Sequence, residues 1–146
     1  MVYASNDSGE TWTQNDITGD AAGEYYNVTC DTTGQNAYAT VRNTTTPETI
    51  TVYKSTNYGS TWSPITSFTD TGSVLPETIA SSSDCKVILI GTSLDIWASV
   101  NYGETFRRLD GSDGSWWGLS SASSNGSLFT GCIYNGKAYN IAINLV

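Results

Sequence analysis

Polar and apolar positions alternate along most of this chain in short runs broken by Gly, Asn, Asp and Ser. Residues 25–31 (YYNVTCD) and 36–42 (NAYATVR) each read as a strand, as do 51–55 and 61–66. The same order returns at 77–81, 86–91, 95–99 and 105–109. Period-two alternation, β-branched and aromatic residues and polar turns at this spacing predict an all-β protein. No stretch carries the 3.6-residue periodicity of an amphipathic helix.

Superimposed on the strands is an internal repeat. Residues 2–12 read VYASNDSGETW, residues 52–62 read VYKSTNYGSTW and residues 96–106 read IWASVNYGETF, so the copies start 50 and 44 residues apart. Aligned, they superpose Ser5, Ser55 and Ser99; Asp7, Asn57 and Asn101; Gly9, Gly59 and Gly103; Thr11, Thr61 and Thr105; and Trp12, Trp62 and Phe106. Each copy reads as a strand ending at the Ser and a turn in which the Asp or Asn side chain bonds to nearby amides. The Gly supplies positive φ. The chain then returns as a second strand with the aromatic residue tucked against the turn, as a hairpin. The segments TTGQNAYATV, SSSDCKVILIG and SSNGSLFTG form a second repeated series between the hairpins. A repeat at this period predicts a modular architecture.

The first motif resembles the Asp-box, or BNR repeat, with pattern Ser-x-Asp-x-Gly-x-x-Trp. Asn57, Asn101 and Phe106 depart from it without disturbing the hairpin. The resemblance implies a β-propeller whose blades have four antiparallel strands, with the box between the third and fourth strand of a blade. In such proteins, among them sialidases, xyloglucan-active glycoside hydrolases, sortilin-type receptors and a photosystem II assembly factor, the box is structural and lies away from the active face. On that frame residues 1–146 form one unit. Strands three and four of a split blade lie at 2–18, full blades at about 25–66 and 77–109, and the remaining strands at about 117–145. The total is about three blades, fewer than the four to eight that usually close a ring. Two copies would make a six-bladed ring as a homodimer, the N-terminal hairpin of one chain joining the C-terminal strands of the other. A piece of a longer propeller is the competing expectation.

Composition then narrows the chemistry. Acidic residues number 14 and basic residues 6, for a net charge of -8, which argues against nucleic acid and against an anionic membrane as partner. No run of 18 apolar residues suggests a membrane span. There is no His, which excludes His-dependent triads and most zinc enzyme sites. No metal motif, phosphate loop or cofactor seat is visible, so neither metal nor cofactor is expected. Cys30, Cys85 and Cys132, spaced 55 and 47 apart, leave one disulfide or three thiols equally open. Met1 leads directly into the first box with no signal peptide in view. Four Asn-x-Ser/Thr sequons at Asn6, Asn27, Asn43 and Asn125 and a total of 40 Ser and Thr suit secretion. Localisation stays open between the two.

Candidate sites follow from the same frame. A sialidase would need three arginines on one carboxylate; only Arg42, Arg107 and Arg108 exist, the last two pointing to opposite faces of a strand. A glycoside hydrolase needs a carboxylate pair, for which Asp31, Asp84, Asp95, Asp110 and Asp113 are the loop and strand-end candidates. No residue is singled out as catalytic. Tyr25, Tyr26, Trp116 and Trp117 fall in aromatic pairs before first strands and are the ligand-binding candidates, since aromatic faces stack on sugar rings. The same pairs could instead fill the wedge between blades. The reading is a non-catalytic module binding carbohydrate or glycoprotein. The alternatives are a glycoside hydrolase, or part of one, and a self-assembling scaffold for protein partners.

Overall fold

The computed structural model describes residues 1–17, 23–45, 47–68, 75–109, 116–121, 123–133 and 138–143. Every described regular element is a strand. A hairpin of β1 (Val2–Ala4) and β2 (Thr13–Asn15) is followed by a sheet of β3 (Gly23–Cys30), β4 (Ala37–Asn43), β5 (Thr49–Ser55) and β6 (Ser63–Phe68) in that spatial order. The next sheet holds β7 (Pro76–Ser81), β8 (Ile88–Thr92), β9 (Ile96–Ser99) and β10 (Arg107–Arg108), again in chain order. A three-stranded sheet of β11 (Trp116–Ser121), β12 (Leu128–Ile133) and β13 (Ala138–Ala142) follows. All pairings are antiparallel meanders, as short turns between neighbouring strands require. The sheets pack face to face through their first strands, with β7 lying against both β3 and β11.

The core lies between consecutive sheets. Tyr38 and Val52 of the first four-stranded sheet meet Ile79, Ile88 and Ile90 of the second, with Phe68 stacked on Trp97 at 4.7 Å between ring centroids. The opposite face of the second sheet presents Ala80, Val87, Leu89 and Ile96 to Leu119 and Phe129 of the third. Two covered faces explain why β8 and its approach read as an unbroken apolar run rather than an alternation. By contrast β3 alternates half-buried and exposed along its whole length, because only one face is covered.

The three boxes fold alike. The Ser Oγ accepts the Gly amide at 2.8 Å in the first box, 3.0 Å in the second and 2.9 Å in the third. The Asx Oδ1 accepts the Thr amide at 2.9, 2.9 and 3.1 Å in the same order. Replacing Asp by Asn is harmless because the side-chain bond simply reverses. The Thr11 hydroxyl donates to Asp7, whereas Asn57 and Asn101 donate to Thr61 and Thr105 at 2.8 and 3.0 Å. Trp12 and Trp62 donate their indole N–H to the Gly carbonyl of their own box at 3.1 and 2.9 Å. Phe106 cannot donate and lies 6.4 Å from the Phe68 ring instead. Positive φ is needed at Gly9, Gly59 and Gly103, and equally at the preceding Ser8, Tyr58 and Tyr102. Two successive left-handed residues match the pattern of a type I′ hairpin turn.

Candidate functional site

Tyr25 and Tyr26 lie within β3, at a β-bulge between Tyr25 and Asn27. The same bulge recurs between Pro76 and Thr78 in β7 and between Trp116 and Gly118 in β11. Tyr25–Tyr26 and Trp116–Trp117 therefore hold one repeat position, but β7 lies between their strands. The side chains of Trp116 and Trp117 lie outside the described residues. The half-buried Tyr25 donates its hydroxyl to Asp16 at 2.7 Å, and the exposed Tyr26 donates to Glu24 at 3.1 Å. Partial desolvation and the Glu24 contact push the Tyr26 phenol up from its ordinary pKa.

Of the candidate carboxylates, Asp31 and Asp84 are committed to their own turns. Asp31 accepts from Asn36 Nδ2 at 2.6 Å and from the Thr33 hydroxyl and amide at 2.7 and 2.9 Å. Desolvation opposes its ionisation, yet these bonds outweigh it and hold its pKa at about 2. The Thr11 hydroxyl and amide, followed by Ser5, hold Asp7 at about 2 as well. Asp84 is lowered by the Ser82 hydroxyl at 2.7 Å and the Lys86 amide at 2.9 Å. Asp95 is buried and paired with Arg108 at 2.5 Å, and Arg42 bridges Glu24 at 3.0 Å and Glu48 at 2.8 Å. Asp110 and Asp113 lie outside the described residues. A glycosidic general acid needs a raised pKa; Asp7, Asp31 and Asp84 are shifted the other way. The arginines are likewise spread, Arg42 on β4 and Arg107 and Arg108 on β10, so the described side chains do not converge on one anion.

A different surface stands out. Val28, Ile79 and Leu119 occupy one repeat position, opposite Ala39, Ile90 and Gly131 on the second strand of each sheet. Ile79 and Leu119 are each 9% exposed, because a preceding sheet covers them, while Val28 is 58% exposed. The hairpin β1–β2 covers only the outer part of this face. Between it and β3 runs a groove of about 230 Å³ lined by Met1, Tyr3, Tyr25, Tyr26, Val28 and Ala39. The first box continues the surface, with Trp12 62% exposed and Gly9 exposed, whereas Gly59 and Gly103 are buried against the sheet before them. A Cβ added at Gly59 would lie 3.2 Å from Ala4 Cβ, and one at Gly103 2.8 Å from Ile65 Cδ1. At the other end of the molecule, a groove of about 310 Å³ runs along Gly118, Thr130, Cys132 and Ala138. The sequence analysis did not single out Val28; aligning it with Ile79 and Leu119 across the repeats is the signal that would have found it.

No family model matches the chain, and no curated protein matches it. Solved structures do. A structure of YCF48 bound to D1 peptide superposes with a TM-score of 0.64 over 82% of this chain and 38% of that one, at 13% identity. The β-propeller domain of Cps50 (Swd1) from Myceliophteria thermophila gives 0.49 over 86% of this chain and 56% of that one, at 11% identity. The chain thus spans 38% and 56% of the lengths of these two structures. At such identities the likeness is one of fold, and it agrees with the stacked antiparallel sheets: the chain has a β-propeller-type fold.

Proposed function

We propose that the chain is a non-catalytic propeller module whose open flank, formed by β3, the β1–β2 hairpin and the first box, docks a protein partner. The observation that carries this reading is Val28, 58% exposed where its two repeat equivalents are 9% exposed. Together with Tyr3 and Tyr26, which line the same groove, it makes an apolar surface of the kind that marks interaction sites, and Trp12 of the first box is exposed as well. The bound D1 peptide of the YCF48 structure is in keeping with a propeller of this type serving protein recognition. Carbohydrate binding is less well supported. Tyr25 and Tyr26 turn their hydroxyls to neighbouring carboxylates, and their strand is set apart from that of the tryptophan pair.

A displayed library of short peptides, selected on the chain held dilute, tests the reading. Selected peptides should lose binding to the Val28→Asp and Tyr3→Ala variants and keep it for Glu104→Gln on the third box. Peptides that bind all three variants equally would place recognition elsewhere, and enrichment on a glycan array instead would overturn the protein-partner assignment. Val28 is exposed enough for Asp to be tolerated in the folded chain.

A further inference from the structure

We propose that the partner on this flank is a second copy of the chain, whose β11 and β12 pack over β3 while the first box of this copy takes the seat that β13 holds beside β12 of the other. The inference rests on the flank being a protein-docking surface and names its occupant. The intrachain contacts between sheets supply the template.

The first argument is a turn without a box and a box without a turn. Gly34, Cys85 and Gly126 mark equivalent left-handed positions in the turns between first and second strands. The next residue in each turn offers its carbonyl. Gln35 O accepts the Tyr58 amide of the second box at 3.2 Å, and Lys86 O accepts the Tyr102 amide of the third box at 3.1 Å. In the third turn, Ser127 O accepts Ile143 N at 2.9 Å, from a segment that has no Ser-x-Asx-x-Gly pattern. Ser8 of the first box has the same backbone shape, φ 61 against 59 and 58, and among the described residues no such turn faces it.

The second argument is register. Ser55 lies opposite Ala37 and Ser99 opposite Ile88; the equivalent residue of β12, Phe129, lies opposite Ile141. Seating the first box there would put Ser5 opposite Phe129, Ala4 opposite Thr130, Tyr3 opposite Gly131 and Val2 opposite Cys132. Tyr139 of β13 now faces Gly131, as Tyr53 faces Ala39 and Trp97 faces Ile90, so β13 mimics a third strand as far as the aromatic residue. It departs at Ile141, where the boxes have Ser, and β13 is exposed at four of its five residues. One seat thus has two claimants, and only β1 brings the box.

The third argument is a ladder that runs one way. Thr32 N donates to Ser83 O at 2.8 Å and Ser83 N donates to Ser124 O at 3.0 Å, linking the inner turns of successive sheets. The ladder ends in Ser124 N–H at one side and Thr32 C=O at the other, which are complementary across a junction of copies. Each copy supplies two four-stranded sheets, and each junction makes one composite sheet. Two copies then close a ring of six, inside the about four to eight blades that propellers use; one copy or three would fall outside it. Two identical junctions give a two-fold ring.

The test uses Cys132, which is exposed and free. In a Cys30→Ser background, Val2→Cys should form a disulfide with Cys132 of a second copy under mild oxidation, giving a species of twice 15.6 kDa whose linked peptides map to positions 2 and 132. Ala138→Cys, opposite Cys132 within the chain, should instead close an intramolecular bond that pins β13 in its seat. That variant, oxidised, should run near 15.6 kDa by light scattering where the unmodified chain runs near twice that. A monomer at every concentration, an open series of larger masses, or a dimer in which position 2 never links to 132 overturns the proposal. A monomer whose selected peptides still depend on Val28 overturns self-association alone. Loss of both overturns the docking flank as well.

Discussion

Burial should decide what each box contributes to stability, and the two serines Ser55 and Ser5 separate burial from chemistry. Both hydroxyls accept the amide of the box glycine and donate to the Asx side chain, at closely similar distances. Ser55 is 1% exposed and Gly59 is buried, whereas Ser5 is half-buried and Gly9 exposed. Ser55→Ala would leave the Gly59 N–H unpaired where water cannot reach it, at about 1–3 kcal/mol, and would lose the weaker bond to the Asn57 amide at about 0.5–1.5 kcal/mol. The total is about 1.5–4.5 kcal/mol. Ser5→Ala exposes its orphaned amide to water and should cost about 0.5–1.5 kcal/mol. Urea unfolding followed by tryptophan fluorescence, on the dilute monomeric chain, reads the difference. With a slope of roughly 1–3 kcal/mol/M, Ser55→Ala should lower the midpoint by about 1 M or more and Ser5→Ala by a fraction of that. Equal shifts, or a larger one for Ser5→Ala, would refute the argument that burial sets the cost.

Four further outcomes are expected. Gly103→Ala sets a Cβ 2.8 Å from Ile65 and 3.0 Å from Tyr38 at φ +81, and should cost about 2–4 kcal/mol from strain and overpacking together. Gly34→Ala meets nothing within 4 Å and should cost only the left-handed penalty, about 1–2 kcal/mol, in the same denaturation assay. Asp7 and Asp31 are held at about 2 against an ordinary 3.8, so the unfolded chain binds more protons between those values. Their stabilisation is complete above pH 4 and is lost as pH falls towards 2; the urea midpoint should drop across that window, and less steeply in Asp31→Asn. Cys85 is fully buried and desolvation pushes its thiol up to about 11, so iodoacetamide at neutral pH should label the exposed Cys30 and Cys132 in the dilute monomeric chain and reach Cys85 only on unfolding.

Much of the local structure was legible because it is built from contacts close in sequence. The box hydrogen bonds span two to four residues, so the Ser, Asx, Gly and Thr spacing announces them. Strand positions followed from alternation and from polar turns. The aromatic pairs were less legible: adjacency in sequence suggested a shared platform, while the recurring bulge and the intervening β7 set Tyr25–Tyr26 and Trp116–Trp117 on separate strands. The positive φ of Ser8, Tyr58 and Tyr102 had no signal either, since neither Ser nor Tyr favours a left-handed backbone and the turn imposes their shape.

The sequence by itself determined the repeat, the strand periodicity and the self-contained turns, since those depend on side chains within reach of their own backbone. It could not say which of three equivalent positions would be covered. Val28, Ile79 and Leu119 are interchangeable in a hydrophobic pattern, and only the stacking of sheets decides that two are buried and one is not. The ladder of Thr32, Ser83 and Ser124 likewise joins backbone groups more than 40 residues apart, through atoms that every residue carries. Tertiary structure alone places such groups together, and with them the open flank on which the proposed function rests.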